Sequence, residues 1–307
     1  MTTLHYELID VFTSSPFGGN QLAVFHDETE LPAETMQKIS RELNLSETVF
    51  IRSPNNSENQ KSLRIFTPKV ELPMAGHPTV GAAFVLADKG LLPTEAGQNR
   101  WILEEQIGEI PVTVYKEGTK ISKVEMTQPL PVFGSHFQKA GLVADLLSLS
   151  PRDLDQRFPI QSVSSGVPFL FIPVRTLKAM KEIKFRADIW ERQFSQNQYT
   201  QHIFVFTMQT EDKQSTVHSR MFAPAMGIQE DPATGAAGGP LGAYLVQHGV
   251  IPQAKDGKYT IRSEQGFEIK RPSYIDITLT KTGSSISDVK IGGQAASIGR
   301  GQIILQD

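Results

Sequence analysis

The chain has 307 residues, with 30 basic and 33 acidic side chains for a formal charge of −3, and no cysteine. That length fits two domains of about 150 residues, and the near-balance of charge gives no basic surface for nucleic acid or an anionic membrane. The lack of cysteine excludes disulfides, thiolate metal sites and every thiol-based mechanism, and the seven histidines show no metal-ligand spacing, so neither a metal nor another cofactor is expected.

Residues 4–12 alternate in the manner of a strand, Ser14-Ser-Pro-Phe-Gly-Gly-Asn20 turns, and 21–25 reads as its antiparallel partner. Residues 32–43 place Met36, Ile39 and Leu43 at helical spacing, with Asn44 suited to end the helix. A strand over 45–51 follows, its first polar residues being Ser46 and Glu47. Residues 53–62 read as a solvated loop, 63–67 as a strand, and strands dominate from 101 to 132. The stretch 127–134 reads as the passage between halves and 141–149 as a short helix. Strands are then expected at 160–163, 168–174 and 203–207, with a helix at 187–193. The charge-rich run 178–186 reads as a solvated helix face. Strands close the chain near 258–263, 267–270, 274–280, 286–292 and 302–305. No apolar run nears the roughly 20 residues of a membrane-spanning helix, and the first residues lack the pattern of a signal peptide. A soluble, cytoplasmic protein is expected.

The chain repeats itself. Arg64-Ile-Phe-Thr-Pro68 matches Arg220-Met-Phe-Ala-Pro224, Glu105-Gln-Ile-Gly-Glu-Ile110 resembles Glu264-Gln-Gly-Phe-Glu-Ile269, and Ile121-Ser-Lys-Val124 matches Ile286-Ser-Asp-Val289. The blocks keep their order while the offset grows from 156 (64 to 220) through 159 (105 to 264) to 165 (121 to 286), so the two halves are expected to share one fold. Each half also carries a small-residue, apolar helix: one follows Pro73-Met-Ala-Gly76-His77-Pro78-Thr79, the other Glu230-Asp-Pro-Ala-Thr-Gly235, with Pro232 and Thr234 suited to its first turn. A helix apolar on most sides is enclosed by other structure. Two helix starts facing a shared boundary would offer backbone N–H groups and positive dipole ends to an anion. The competing reading is that both starts are merely capped and covered.

Three titratable residues stand at these places. His77 lies at the first helix start, Asp231 just before the second, and Glu47 enters an apolar strand, where burial raises a carboxyl pKa toward neutrality and suits it to proton transfer. The bland alternatives are a structural histidine, an aspartate cap and an exposed strand-edge glutamate.

Phe17-Gly-Gly-Asn20 with Ala23-Val24, Asn44-Leu-Ser-Glu-Thr-Val-Phe50, Arg64-Ile-Phe-Thr-Pro68, Gly76-His-Pro-Thr79 and Phe222-Ala-Pro with Glu230-Asp-Pro-Ala-Thr-Gly235 together resemble the PhzF-like family of phenazine-biosynthesis isomerases. The resemblance implies an α+β, diaminopimelate-epimerase-like fold: two pseudo-symmetric domains, each a mixed sheet rolled around a central helix, with the active site in the cleft. In that family the last strand returns to the first domain, which implies domains of 1–118 with about 294–307, and 119–293. It also implies Glu47 as general acid/base, with His77 and Asp231 as its partners in catalysis, and allows a homodimer. Thiol-dependent epimerases of this fold are excluded by the missing cysteines. After Asp-Pro-Ala-Thr-Gly the family commonly has serine, whereas Ala236 stands here, a change that bears on substrate identity.

The expected function is a cofactor-independent isomerase that moves a proton between carbons of a small carboxylate-bearing metabolite. Ser46, Gly76, Thr234, Gly235 and Ala236 are the expected substrate-binding residues. A non-thiol epimerase of an amino or hydroxy acid and a non-catalytic small-molecule binder are the alternatives.

Overall fold

The computed structural model describes residues 2–26, 30–254, 256–283 and 285–305. They fall into two compact units, one built from residues up to Thr127 together with those from Ile291 onward, the other from Gln128–Lys290.

In the first unit, neighbouring strands run in the order Ala295–Leu305, Thr2–Val11, Asn20–Phe25, Glu47–Arg52, Lys61–Phe66, Gly97–Glu105, Gly108–Glu117 and Lys120–Thr127. Two of these pairings are parallel, Asn20–Phe25 with Glu47–Arg52 and Lys61–Phe66 with Gly97–Glu105. A parallel pair needs a long crossover, and each has a helix in it: Ala33–Leu43 in the first, Gly76–Asp88 in the second.

The second unit repeats the first seven strands of this order. Its order is Val132–His136, Gln161–Ser164, Pro168–Pro173, Ile203–Thr207, Val217–Ala223, Lys258–Gln265 and Ser273–Thr282. The parallel pairings are again the third and fifth of the order, with Leu177–Glu182 and Ala187–Gln193 crossing the first and Gly235–Gln247 crossing the second. Besides this extra crossover helix, the supply of the first strand differs. In the second unit it is Val132–His136, separated from its partner by the helix Ala140–Leu147, whereas in the first it is Ala295–Leu305.

The helices Gly76–Asp88 and Gly235–Gln247 are the cores of their units. Residues 76–87 are all buried, as are Gly235 and 237–246. A helix can be covered on every side only if its backbone is approached closely somewhere. At Gly81 a Cβ would lie 2.5 Å from a Leu22 methyl and 2.9 Å from one of Val11, and at Gly242 it would lie 2.8 Å from methyls of Ile277 and Leu279. The larger side chains Val80, Phe84, Val85 and Leu86 fill the rest, each contributing on the order of 1.5–3 kcal/mol by leaving water. The helix Ala33–Leu43 instead buries one face, packing Met36 and Ile39 on Leu4, Ala23, Phe25, Phe50 and Phe66. Asn44 ends it in the left-handed region at φ 51°, as its sequence predicts.

The structure also accounts for the first repeated block. Arg64 grips Glu71 through two bonds of 2.6 and 2.7 Å, and its guanidinium lies 5.3 Å from the centroid of Phe66. Arg220 grips Glu230 through two bonds of 2.8 Å, and lies 5.2 Å from Phe222. Each arginine ties its strand to the short strand that leads into the central helix.

Several expectations are corrected. The boundary at 118/119 would cut a hairpin, because Lys120–Thr127 pairs with Gly108–Glu117, and the break falls after Thr127. The passage between units is correspondingly short, since Val132–His136 is already a strand, paired with Gln161–Ser164. Residues 267–270 form a turn closed by the Arg271 N–H on the Gly266 carbonyl at 2.8 Å. The helix in the 178–186 run stops at Glu182, and Ala179, Met180 and Ile183 are core residues. Pro232 precedes the second central helix, whose start is Thr234. The 53–62 stretch is held from below, as Glu104 accepts from the backbone N–H groups of Asn55 and Asn56 and from the Asn59 side chain at 2.8–2.9 Å.

Candidate active site

Glu47 begins the strand Glu47–Arg52 and pairs in parallel register with Leu22. That position puts it inside the unit, with only 8% of its surface exposed. His77 is the second residue of the first central helix and is 3% exposed. The two meet: Nδ1 of His77 lies 3.2 Å from Oε2 of Glu47 and 3.3 Å from Nδ2 of Asn20. The Asn20 amide donates to Nδ1 in the tautomer that leaves that nitrogen unprotonated. Burial pulls the imidazole pKa down from 6.5 to about 3, against a smaller opposing pull from the Gln21 backbone. His77 is therefore neutral at physiological pH. Its other nitrogen, Nε2, is buried without a hydrogen-bond partner among the described residues.

Asp231 ends the short strand Ile228–Asp231 and is 4% exposed. It is not a helix cap. Its Oδ2 accepts from the Thr234 hydroxyl at 2.6 Å, which turns that hydroxyl away from the helix, so Thr234 caps no backbone N–H. Gln265 locks the corner, donating to the Asp231 carbonyl at 2.7 Å and to the Thr234 hydroxyl at 3.0 Å while accepting from the Thr234 N–H at 3.2 Å. The first helix likewise starts at Ala75 without a side-chain cap. Both starts keep the positive dipole end that favours an anion.

The remaining expected residues fall on these elements. Ser46 is half-buried in the bend before Glu47, and Gly76 is buried in the first turn beside His77. In the second unit Thr234 and Gly235 are buried and Ala236 is half-buried. Further along that helix, Pro240 lacks the N–H of an interior residue. The Gln128 amide is threaded into the turn before it, donating to the Gly235 carbonyl at 3.1 Å and accepting from the Gly239 N–H at 2.9 Å.

One buried carboxyl escaped the sequence reading. Glu105, at the end of the strand Gly97–Glu105, reaches the Thr79 hydroxyl in the first turns of the first central helix, and that hydroxyl also lies 2.5 Å from the Ala75 carbonyl oxygen. Burial drives its pKa up from 4.5 to about 8, with the Thr79 hydroxyl and the Ala75 backbone pulling the other way. Strand alternation carries the signal that finds it: of the adjacent pair Glu104 and Glu105, one must face the loop and the other the helix.

The repeat also shifts by one residue here. Ser62 pairs with Glu104 and His218 with Glu264, and Glu264 accepts from the backbone N–H groups of Glu211 and Asp212 at 2.6 and 3.0 Å, as Glu104 does from 55–56. Glu104 therefore corresponds to Glu264, and Glu105 to Gln265, in place of the Glu105–Glu264 match read from the sequence.

Comparison with known proteins agrees with this architecture. The family described as phenazine biosynthesis-like protein matches residues 9–301. The chain is 35% identical to an uncharacterized isomerase of Mesorhizobium japonicum, over 99% of this chain and 100% of that protein. It is 33% identical to the trans-2,3-dihydro-3-hydroxyanthranilate isomerase of Pseudomonas chlororaphis, over 98% and 99%. Its structure resembles a PhzF-family phenazine biosynthesis protein of Bacillus anthracis with a TM-score of 0.89 at 26% identity, covering 99% and 100% of the two chains. A hydroxyproline epimerase of Agrobacterium vitis, at 11% identity and a TM-score of 0.66 over 99% and 91%, shares the fold. The chain belongs to the phenazine biosynthesis-like family and is an isomerase with the epimerase-type α+β fold.

Proposed function

We propose that the enzyme is a cofactor-independent isomerase in which Glu47 takes a proton from one carbon of a small, carboxylate-bearing metabolite and returns it to another. The supporting observation is the buried Glu47 carboxylate, 3.2 Å from an imidazole whose pKa is held near 3. An imidazolium at that distance would lock the carboxylate into an ion pair and weaken it as a base, whereas a neutral ring orients it without removing its basicity.

The step balances without a second reactant. The C–H electron pair stays on the substrate as an enolate-like or allylic anion while the proton moves to a Glu47 oxygen, and the same proton then forms a C–H bond at the other end of the conjugated system. Burial keeps water from exchanging that proton. His77 Nε2 serves a polar group of the substrate, Gly76 offers its carboxylate the start of the first helix, and Ser46 lies beside the transfer path. In the second unit, Asp231 is assigned to substrate binding and catalysis, with Thr234, Gly235 and Ala236 forming its helix start. The substrate named for the Pseudomonas relative, trans-2,3-dihydro-3-hydroxyanthranilate, is a cyclic unsaturated acid of the right chemistry and the first probe to use. Incubation in heavy water with detection of carbon-bound deuterium tests the reading. Isomerisation with less than one deuterium gained per turnover is expected, and binding without any movement of carbon-bound hydrogen would make the protein a binder.

A further inference from the structure

The Thr79 hydroxyl lies between two oxygens, the Ala75 carbonyl at 2.5 Å and Oε1 of Glu105. A hydroxyl has one proton to give. The carbonyl can only accept, and two oxygens 2.5 Å apart need a proton between them, so if Thr79 gives its proton to Ala75 the oxygen on the other side is the donor. Glu105 meets that demand only as a carboxylic acid. Its second oxygen, Oε2, is buried without a hydrogen-bond partner among the described residues, which an ionised carboxylate would tolerate far less well than a neutral one.

The second unit offers a parallel in which the donor is neutral by its chemistry. Gln265, which occupies the corresponding strand position, is a permanently neutral side chain of the same shape. It donates to the Thr234 hydroxyl at 3.0 Å, and that hydroxyl donates onward to Asp231 at 2.6 Å. The second unit thus has a neutral donor at this strand end against a threonine hydroxyl at the start of its central helix.

We propose that Glu105 is a positioning residue of the isomerase site, a neutral carboxylic acid that donates to Thr79 and thereby holds the Ala75–His77 turn in place. This rests on the reading of His77 as a site residue. Burial is what makes ionisation of Glu105 unfavourable. Only the Thr79 hydroxyl and the Ala75 backbone oppose it by favouring the charged form. Gly108 stands opposite it on the neighbouring strand, Glu104 is bound into the 55–59 turn, and His77 is itself neutral near pH 7. If Glu105 loses its proton, Thr79 must turn to it and abandon the Ala75 carbonyl, and a negative charge arrives behind the helix start.

The test compares the full-length wild type with Glu105→Gln, without turnover. The folded acid keeps its proton up to about pH 8, while the unfolded one loses it near 4.5, so the contribution of Glu105 is lost from wild type as pH rises through that window, and the Gln variant, which shares every other titrating group, lacks that loss. The two should melt at similar temperatures at pH 5, and the variant should melt roughly 5–15 °C higher at pH 8. In parallel, the His77 ring resonances of wild type should shift with a midpoint near pH 8, a range in which His77 does not itself titrate, and should stay still in Glu105→Gln. A variant that fails to fold or melts below wild type at pH 8 would overturn the proposal, as would His77 resonances that titrate in both proteins or in neither. None of these outcomes bears on whether Glu47 moves the proton, which the turnover of Glu47→Gln decides separately.

Discussion

A carboxylate beside an imidazolium is half of an ion pair, and the same carboxylate beside a neutral imidazole is a base. The difference at Glu47 lies in the burial of His77, whose pKa falls to about 3, and that shift has a measurable cost. Between pH 6.5 and 3 the unfolded chain binds a proton at this histidine that the fold does not, so the contribution is present above 6.5 and lost as pH falls toward 3, by at most about 1.4 kcal/mol per pH unit. His202, also lowered by burial to about 4, adds to the same acid loss. Thermal unfolding at pH 7 and 4.5 should show a smaller acid loss for His77→Asn than for wild type, and an unchanged difference would mean that His77 is charged in the fold. The candidates Glu47, His77 and Asp231 were legible in the sequence because each precedes or opens an apolar element. Glu105 was not, because matching Glu105 to Glu264 by letter hid which of two adjacent glutamates faces the helix. The bond from Thr234 to Asp231 was equally hidden, since a threonine before a helix reads as its cap.

At the scale of elements, the paired helices and most strands were legible from periodicity, and the repeat gave the reason to expect them twice. Residues 267–270 misled because Phe267 and Ile269 alternate like a strand although Lys270 adopts a φ of 61°. The strand Val132–His136 was hidden by the prolines before it. The arginine clamps explain why Arg-x-Phe recurs. A lysine cannot form the two-pronged bond or stack on the ring in the same way, so Arg64→Lys should cost about 1–3 kcal/mol in chemical denaturation. Arg220→Lys should cost more, because Arg220 is more deeply buried and also donates to the Met180 carbonyl at 2.9 Å. Equal and negligible losses would reduce both clamps to surface ion pairs.

Across the whole molecule, the two units solve one structural problem with different chemistry. In the first, the Asn59 amide bridges Glu104 and Glu109 at 2.9 and 2.8 Å. In the second, His218 bridges Glu264 and Glu268 at 2.7 and 3.0 Å. Burial alone would lower the His218 pKa, but the hydrogen bonds and charges of the two glutamates outweigh it and lift it to about 9. Stability from that bridge is fully present below pH 6.5 and is lost as pH rises through about 9. Hydrogen exchange should therefore show Val217–Ala223 and Lys258–Gln265 losing protection above pH 9 before Lys61–Phe66 and Gly97–Glu105 do, and simultaneous loss would contradict the assignment of charge to His218. The proposed proton transfer by Glu47 takes place at a buried carboxylate of the first unit. Its most direct test is the rate of isomerisation of trans-2,3-dihydro-3-hydroxyanthranilate, or of whichever cyclic unsaturated acid proves to be turned over, by wild type and Glu47→Gln in heavy water. The variant should fold and bind as wild type does while its rate drops by roughly two to four orders of magnitude, and a Glu47→Gln enzyme that turns over at the wild-type rate would contradict the account.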